Sequence, residues 1–89
     1  MRIIGQLDNP KIKITLFDQN NKLSVKFEKG QAEIILKFQE DKSEVMNQLH
    51  KENDKTGFSL IEKQLDALLL FRKKFEVAAP HDEELLHII

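Results

Sequence analysis

Residues that could carry out catalysis are few in this chain, which contains no cysteine, tryptophan or tyrosine. Its serines are Ser24, Ser43 and Ser59, and none has a neighbouring base that would activate it as a nucleophile. Ser43 and Ser59 lie at predicted helix starts, where capping accounts for a serine. The three glycines are isolated, so the sequence has no glycine-rich phosphate loop. We therefore expect a non-enzymatic protein without a cofactor.

A metal site would have to use the histidines, which are His50, His81 and His87. Glu84 and His87 are three residues apart and would share one face of a helix. A carboxylate-bridged dimetal site needs two Glu-x-x-His units, and the sequence has one. The His-Glu-x-x-His zinc motif is absent. An acidic helix start explains the residues after His81 better, and we expect no metal site.

Lysines recur between residues 11 and 39, where apolar and polar residues alternate. A period of two places the apolar set on one face of a strand and the polar set on the other. Single-strand nucleic-acid binders combine such a basic surface with aromatic stacking platforms, but Phe17 is the one aromatic residue expected outward. A lysine-rich outer face also keeps a sheet soluble. The candidate nucleic-acid face consists of Lys11, Lys13, Phe17, Lys26 and Lys37.

Four strands would carry this face, at residues 2–7, 11–17, 22–28 and 31–39. The connections are short turn sequences: Asp8-Asn9-Pro10, the run 18–21, and Lys29-Gly30. Because parallel pairing needs much longer crossovers, three short connections predict an antiparallel β-meander.

The period becomes helical after Gln39. Asp41 with Glu44 has the spacing of a capping box and predicts a short helix over 41–53, followed by a polar loop through Gly57. Ser59 with Glu62 repeats the spacing and predicts a long helix over 59–77. Residues 80–89 are either a short third helix or a tail. The fold class is thus α+β, with a four-stranded antiparallel meander over residues 1–39 and two or three helices packed on one face.

The long helix has an apolar arc of roughly 200°, about twice the width that covers one core face. A four-stranded sheet covers one side of it, so the remainder needs the first helix, the C-terminal residues or a second copy of the chain. We expect a homodimer, and the candidate dimer face consists of Leu60, Leu69, Leu70 and Phe71. The apolar residues 85–89 could dock on the core, complete the dimer or bind another protein, and we expect docking on the core.

Length and charge set the remaining expectations. The 89 residues predict one domain, and the net charge of −1 divides into +3 over residues 1–39 and −4 over 40–89. This asymmetry indicates either mutual attraction of the two halves or an interaction surface. The longest apolar run has five residues, so we expect neither a signal peptide nor a membrane span, and a cytoplasmic location.

Segments 3–5, 9–17 and 24–28 resemble the opening of some small uncharacterised bacterial proteins, a resemblance that implies no activity. The order of four strands and then a helix is also similar to Whirly and purine-rich-element-binding (PUR) modules. That resemblance implies single-strand binding on a sheet and pairing through helices. The chain departs from it by an extra helix and by its lack of stacking aromatics. We expect a protein-interaction or structural module acting as a homo-oligomer; the alternative is a single-stranded nucleic-acid binder.

Overall fold

The computed structural model describes residues 2–77, which form one antiparallel sheet followed by two helices. The strands pair in the order β1-β2-β3-β4, so the predicted α+β meander is confirmed. The elements are β1 (Arg2–Leu7), β2 (Lys13–Gln19), β3 (Lys22–Lys29), β4 (Ala32–Lys37), α1 (Lys42–Thr56) and α2 (Ser59–Val77). Residues 80–89, predicted as a third helix or tail, lie outside the described residues.

The β2–β3 hairpin has a shorter turn than the sequence predicted. Asn20 and Asn21 both have positive φ, of 53° and 63°, as a two-residue turn matched to the strand twist requires. Asp18 and Gln19, predicted as loop, therefore pair with β3. The next turn is also displaced by one residue, because Lys29 pairs with Ala32 and the turn is left to Gly30, with a φ of 58°, and Gln31.

Strand β2 begins two residues later than predicted because the Asn9 side chain organises the preceding loop. Its Oδ1 accepts hydrogen bonds from the backbone amides of Lys11 (2.9 Å) and Ile12 (3.1 Å). This Asx-type turn satisfies amides that strand pairing would otherwise use. Lys11 consequently lies in the β1–β2 loop and outside the sheet.

The apolar residues of the alternating pattern face the helices and form the core. Leu7, Ile14, Phe27 and Ile34 occupy one cross-strand row, of which the first three are buried. The next row joins Leu16 (2% exposed), Val25 (0%) and Leu36 (40%). The helices therefore cover the middle of the sheet and leave the end of β4 partly open.

Helix α1 starts as predicted, since the Asp41 carboxylate accepts a hydrogen bond from the Glu44 amide at 3.2 Å. The predicted loop between residue 53 and Gly57 is wrong, because the helix continues to Thr56 and ends at Gly57 in the left-handed conformation. Asn53 holds the last turns through two contacts, donating to the Asp8 carbonyl (2.7 Å) and accepting from Asn9 Nδ2 (2.9 Å). These contacts with the β1–β2 loop stabilise the end of the helix, although the segment is polar.

Helix α2 spans the predicted residues, but its start differs from a capping box. Ser59 is the first helical residue, and Phe58, with a φ of 57°, precedes it. The Glu62 amide donates to the Phe58 carbonyl at 2.9 Å, while the Glu62 carboxylate contacts Lys29 Nζ at 3.2 Å. Ser59 and Glu62 therefore form no reciprocal cap.

Candidate interaction surface

Helix α2 is anchored to the sheet by a covered side that begins with Phe58. The Phe58 side chain is 6% exposed and packs edge-to-face on Phe27, with ring centroids 5.0 Å apart. A positive φ is uncommon for a bulky residue, and burial of the ring offsets its strain. Leu65 is fully buried, and Ile61 and Leu69 pack against the same core.

One flank of this covered side is acidic and pairs with the sheet. Lys29 Nζ, at the end of β3, lies 2.6 Å from Asp66 Oδ1 and 3.2 Å from Glu62 Oε2. Lys11 Nζ lies 3.9 Å from Glu62 Oε1. The hydrogen bond that Lys29 donates to Asp66, and then the one that it donates to Glu62, raise the pKa of Lys29 above its ordinary value. These pairs lie beside the buried Phe58 and Leu65, whose packing in the core sets the rotation of α2 on the sheet.

The other flank of α2 is apolar and uncovered, and we call it the α2 stripe. At about 100° per residue, its members fall within one band along the helix, next to the covered side. Leu60 is 68% exposed, Leu68 44%, Phe71 56% and Phe75 60%. Gln64 and Ala67 complete the stripe and are also exposed. The stripe contains no charged residue.

The rings at the end of the stripe pack on each other and not on the sheet. Phe71 and Phe75 form an edge-to-face pair with centroids 5.4 Å apart. Lys74 Nζ lies 5.6 Å from the Phe71 centroid, and Arg72 contacts Glu76 at 3.6 Å. Local contacts thus order the rings into an apolar surface with cations at its margin.

The second half of α2 extends beyond the part of the helix that the sheet covers. Leu69 is the last residue packed on the core, and it lies over the β3–β4 turn, where a Cβ at Gly30 would be 3.6 Å from Leu69 Cδ2. From Leu70 to Glu76 no residue is buried. Two helical turns therefore lack a packing partner within the described part of the chain.

The four residues of the predicted dimer face occupy three different sides of α2. Leu60 and Phe71 lie on the stripe, whereas Leu69 packs against the core. Leu70, 67% exposed, lies away from the stripe on the polar side of the helix. Sequence reasoning omitted Leu68 and Phe75, which the helical wheel places beside the covered side. Finding them required the rotation of α2 on the sheet, which the packing of Phe58 and Leu65 in the core determines.

The predicted nucleic-acid face is brought together on the outer side of the sheet, except for Lys11, which contacts α2. Strand pairing places Lys13, Lys26 and Lys37 with Phe17 on this outer face. It also places Glu28 and Glu33 there, opposite Lys13 in one cross-strand row. Sequence reasoning did not weigh these carboxylates against the lysines, although their alternation with Phe27 and Ile34 indicates their side.

Charges on this outer face neutralise one another to a large extent. Lys26 Nζ lies 3.6 Å from Glu28 and 4.0 Å from Glu33, and 5.5 Å from the Phe17 ring centroid. Ser24 is buried, only 3% exposed. Three lysines and two glutamates leave the central face with a net charge of +1. The Phe17 ring, which would have to stack on a base, is already in contact with Lys26 of the same chain.

An open cleft of about 820 Å³ lies along α1. Phe38, Leu49 and Phe58 line its apolar part, and Glu40, Glu44 and Glu52 contribute carboxylates. Its lining contains no histidine, serine or cysteine. His50 is exposed on α1, and the other two histidines, together with Glu84, lie outside the described residues. Within residues 2–77, no three His, Asp or Glu side chains are grouped to hold a metal ion.

Comparisons with protein-family models, curated proteins and solved structures gave no match. Neither α1 nor α2, the helices of residues 2–77, is long and apolar enough to cross a membrane. Four of the eight exposed large hydrophobic residues of the described chain lie on the α2 stripe, which is therefore the candidate interaction surface.

Proposed function

We propose that this protein is a non-enzymatic protein-interaction module that pairs with a second copy of itself through the α2 stripe. The observation that carries the proposal is the exposure of four large apolar side chains along one side of α2, from 44% for Leu68 to 68% for Leu60. Exposed apolar side chains scattered singly are ordinary, whereas a contiguous row marks an interaction site.

The area of the stripe suits a modest dimer. With roughly 150–250 Å² for each aromatic side chain and somewhat less for leucine, the exposed part amounts to roughly 500 Å² per copy. Two copies would bury roughly 1,000 Å², which is near the lower limit of specific interfaces. We therefore expect a dissociation constant in the micromolar range. Since the stripe carries no charge, pairing buries no ion.

Single-stranded nucleic-acid binding through the outer sheet face is the second candidate function. Lys26 beside Phe17 supports it, because a cation next to an aromatic ring suits a phosphate and a base. Glu28 and Glu33 oppose it by repelling phosphates. Binding of a labelled mixed-sequence oligonucleotide that weakens steeply with salt, and is lost in Lys13→Glu/Lys26→Glu, would favour this function.

Sedimentation equilibrium over a range of concentrations tests the proposed pairing. The wild-type protein should associate reversibly, and Phe71→Glu should weaken association by about ten-fold or more, because pairing would desolvate a carboxylate. Leu70→Glu is the matched control, since this leucine is at least as exposed as Phe71 on the same helix but lies away from the stripe. A monomer at every concentration, or equal weakening by both variants, would contradict the proposal.

A further inference from the structure

The α2 stripe has a spacing that reads the same in both directions. Its members are Leu60, Gln64, Ala67, Leu68, Phe71 and Phe75, and the successive intervals are four, three, one, three and four residues. A two-fold axis between positions 67 and 68 maps this set onto itself when two helices run antiparallel. Because a two-fold interface joins the same patch of both copies, it requires such self-complementarity.

The axis pairs a small residue with a larger one at the centre of the stripe. Leu60 of one copy faces Phe75 of the second, Gln64 faces Phe71, and the small Ala67 faces Leu68. Alternating large and small residues across an interface allows the helices to approach without voids. A parallel pair in register would instead place Phe71 against Phe71 and leave Ala67 against Ala67.

The helix dipoles favour the same orientation, since an antiparallel pair places the opposite ends of the two helices side by side. Glu62 and Asp66 pair with Lys29 on the side of α2 away from the stripe, so side-chain charge does not decide between the two orientations.

From the spacing, the Ala67–Leu68 pair at the centre and the helix dipoles, we infer that two copies pair through antiparallel α2 helices around a two-fold axis between Ala67 and Leu68. The inference rests on the proposed function, since it specifies the geometry of that same pairing. It also explains why α2 extends beyond Leu69: its exposed second half would pack on the first half of the partner helix.

Spin labels on introduced cysteines test this geometry, because the chain has no cysteine of its own. Ser59→Cys lies at one end of α2 and Leu70→Cys lies near the axis, and both positions are exposed and outside the stripe. At 1.5 Å per residue, the axis separates the two copies of position 59 by about 25 Å along the helices, and those of position 70 by about 8 Å.

Pulsed dipolar measurements should therefore give a clearly longer distance at position 59 than at position 70. Equal and short distances at both positions would indicate a parallel pair and overturn the inference while leaving the dimer intact. Absence of any dipolar coupling at concentrations where sedimentation detects a dimer would also overturn it. A monomer in both experiments would overturn the proposed function itself.

Discussion

The two apolar sides of α2 have similar compositions and opposite environments. The covered side places Phe58 and Leu65 in the core, with exposures of 6% and 0%. The α2 stripe leaves Phe71 and Phe75 in water, with exposures of 56% and 60%. The two sides differ because the sheet packs against the helix only as far as Leu69, which lies over the β3–β4 turn.

This comparison indicates which exposed surface needs a partner. On the outer sheet face, the chain's own carboxylates already pair with the half-buried Lys26. On α2, described neighbours satisfy the acidic flank through Lys29, but no described element covers the stripe. Charged side chains left outside are well solvated, whereas a contiguous apolar row gains free energy only when another surface covers it.

The largest loss of stability is expected from a substitution on the covered side of α2. Leu65→Ala should lower the free energy of unfolding by about 2–5 kcal/mol, because it leaves a cavity where the side chain is fully buried. The matched Leu70→Ala, at a 67% exposed position, should change it by less than about 0.5 kcal/mol. Urea denaturation of the dilute protein measures both. Similar losses would mean that the two sides of α2 do not differ as described.

A smaller loss of stability is expected when the hydrogen bonds between Asn53 of α1 and the β1–β2 loop are removed. Asn53→Ala removes the two hydrogen bonds that join it to the Asp8 carbonyl and Asn9, each contributing about 0.5–1.5 kcal/mol, so the free energy of unfolding should fall by about 1–3 kcal/mol. Asn47→Ala, exposed on the same helix, is the control. Urea denaturation measures both variants. An equal loss in the two would contradict a stabilising role for the Asn53 hydrogen bonds.

The smallest effect concerns the acidic flank and depends on pH. The pKa of Lys29 is raised from 10.5 by Asp66 and Glu62, so the folded state favours the ammonium form. The stabilisation is present below that ordinary pKa and is lost as the pH rises through the raised one. Lys29→Met should therefore destabilise the protein at neutral pH but not in strong alkali. Lys63→Met, a control on the exposed side of α2, should show no such pH-dependent difference.

Sequence reasoning could predict the sheet because alternation and short turns are local properties. It could not predict the end of α1, since the contacts of Asn53 with the β1–β2 loop join residues about 45 positions apart. The sequence also predicted that the apolar arc of α2 is wider than one face of the sheet can cover. Which leucines remain uncovered depends on the rotation that the packing of Phe58 and Leu65 gives to α2, and the displacement of Lys11 depends on the Asn9 turn.

The most direct test of the central claim is a dilution series followed by NMR, from about 1 mM to about 10 μM. We predict that the methyl signals of Leu60 and Leu68 and the ring signals of Phe71 shift together along one binding curve. The signals of Leu70 and of Phe17, on the outer sheet face, should change least. No concentration dependence, or shifts confined to Phe17 and its neighbours, would contradict self-association through the α2 stripe.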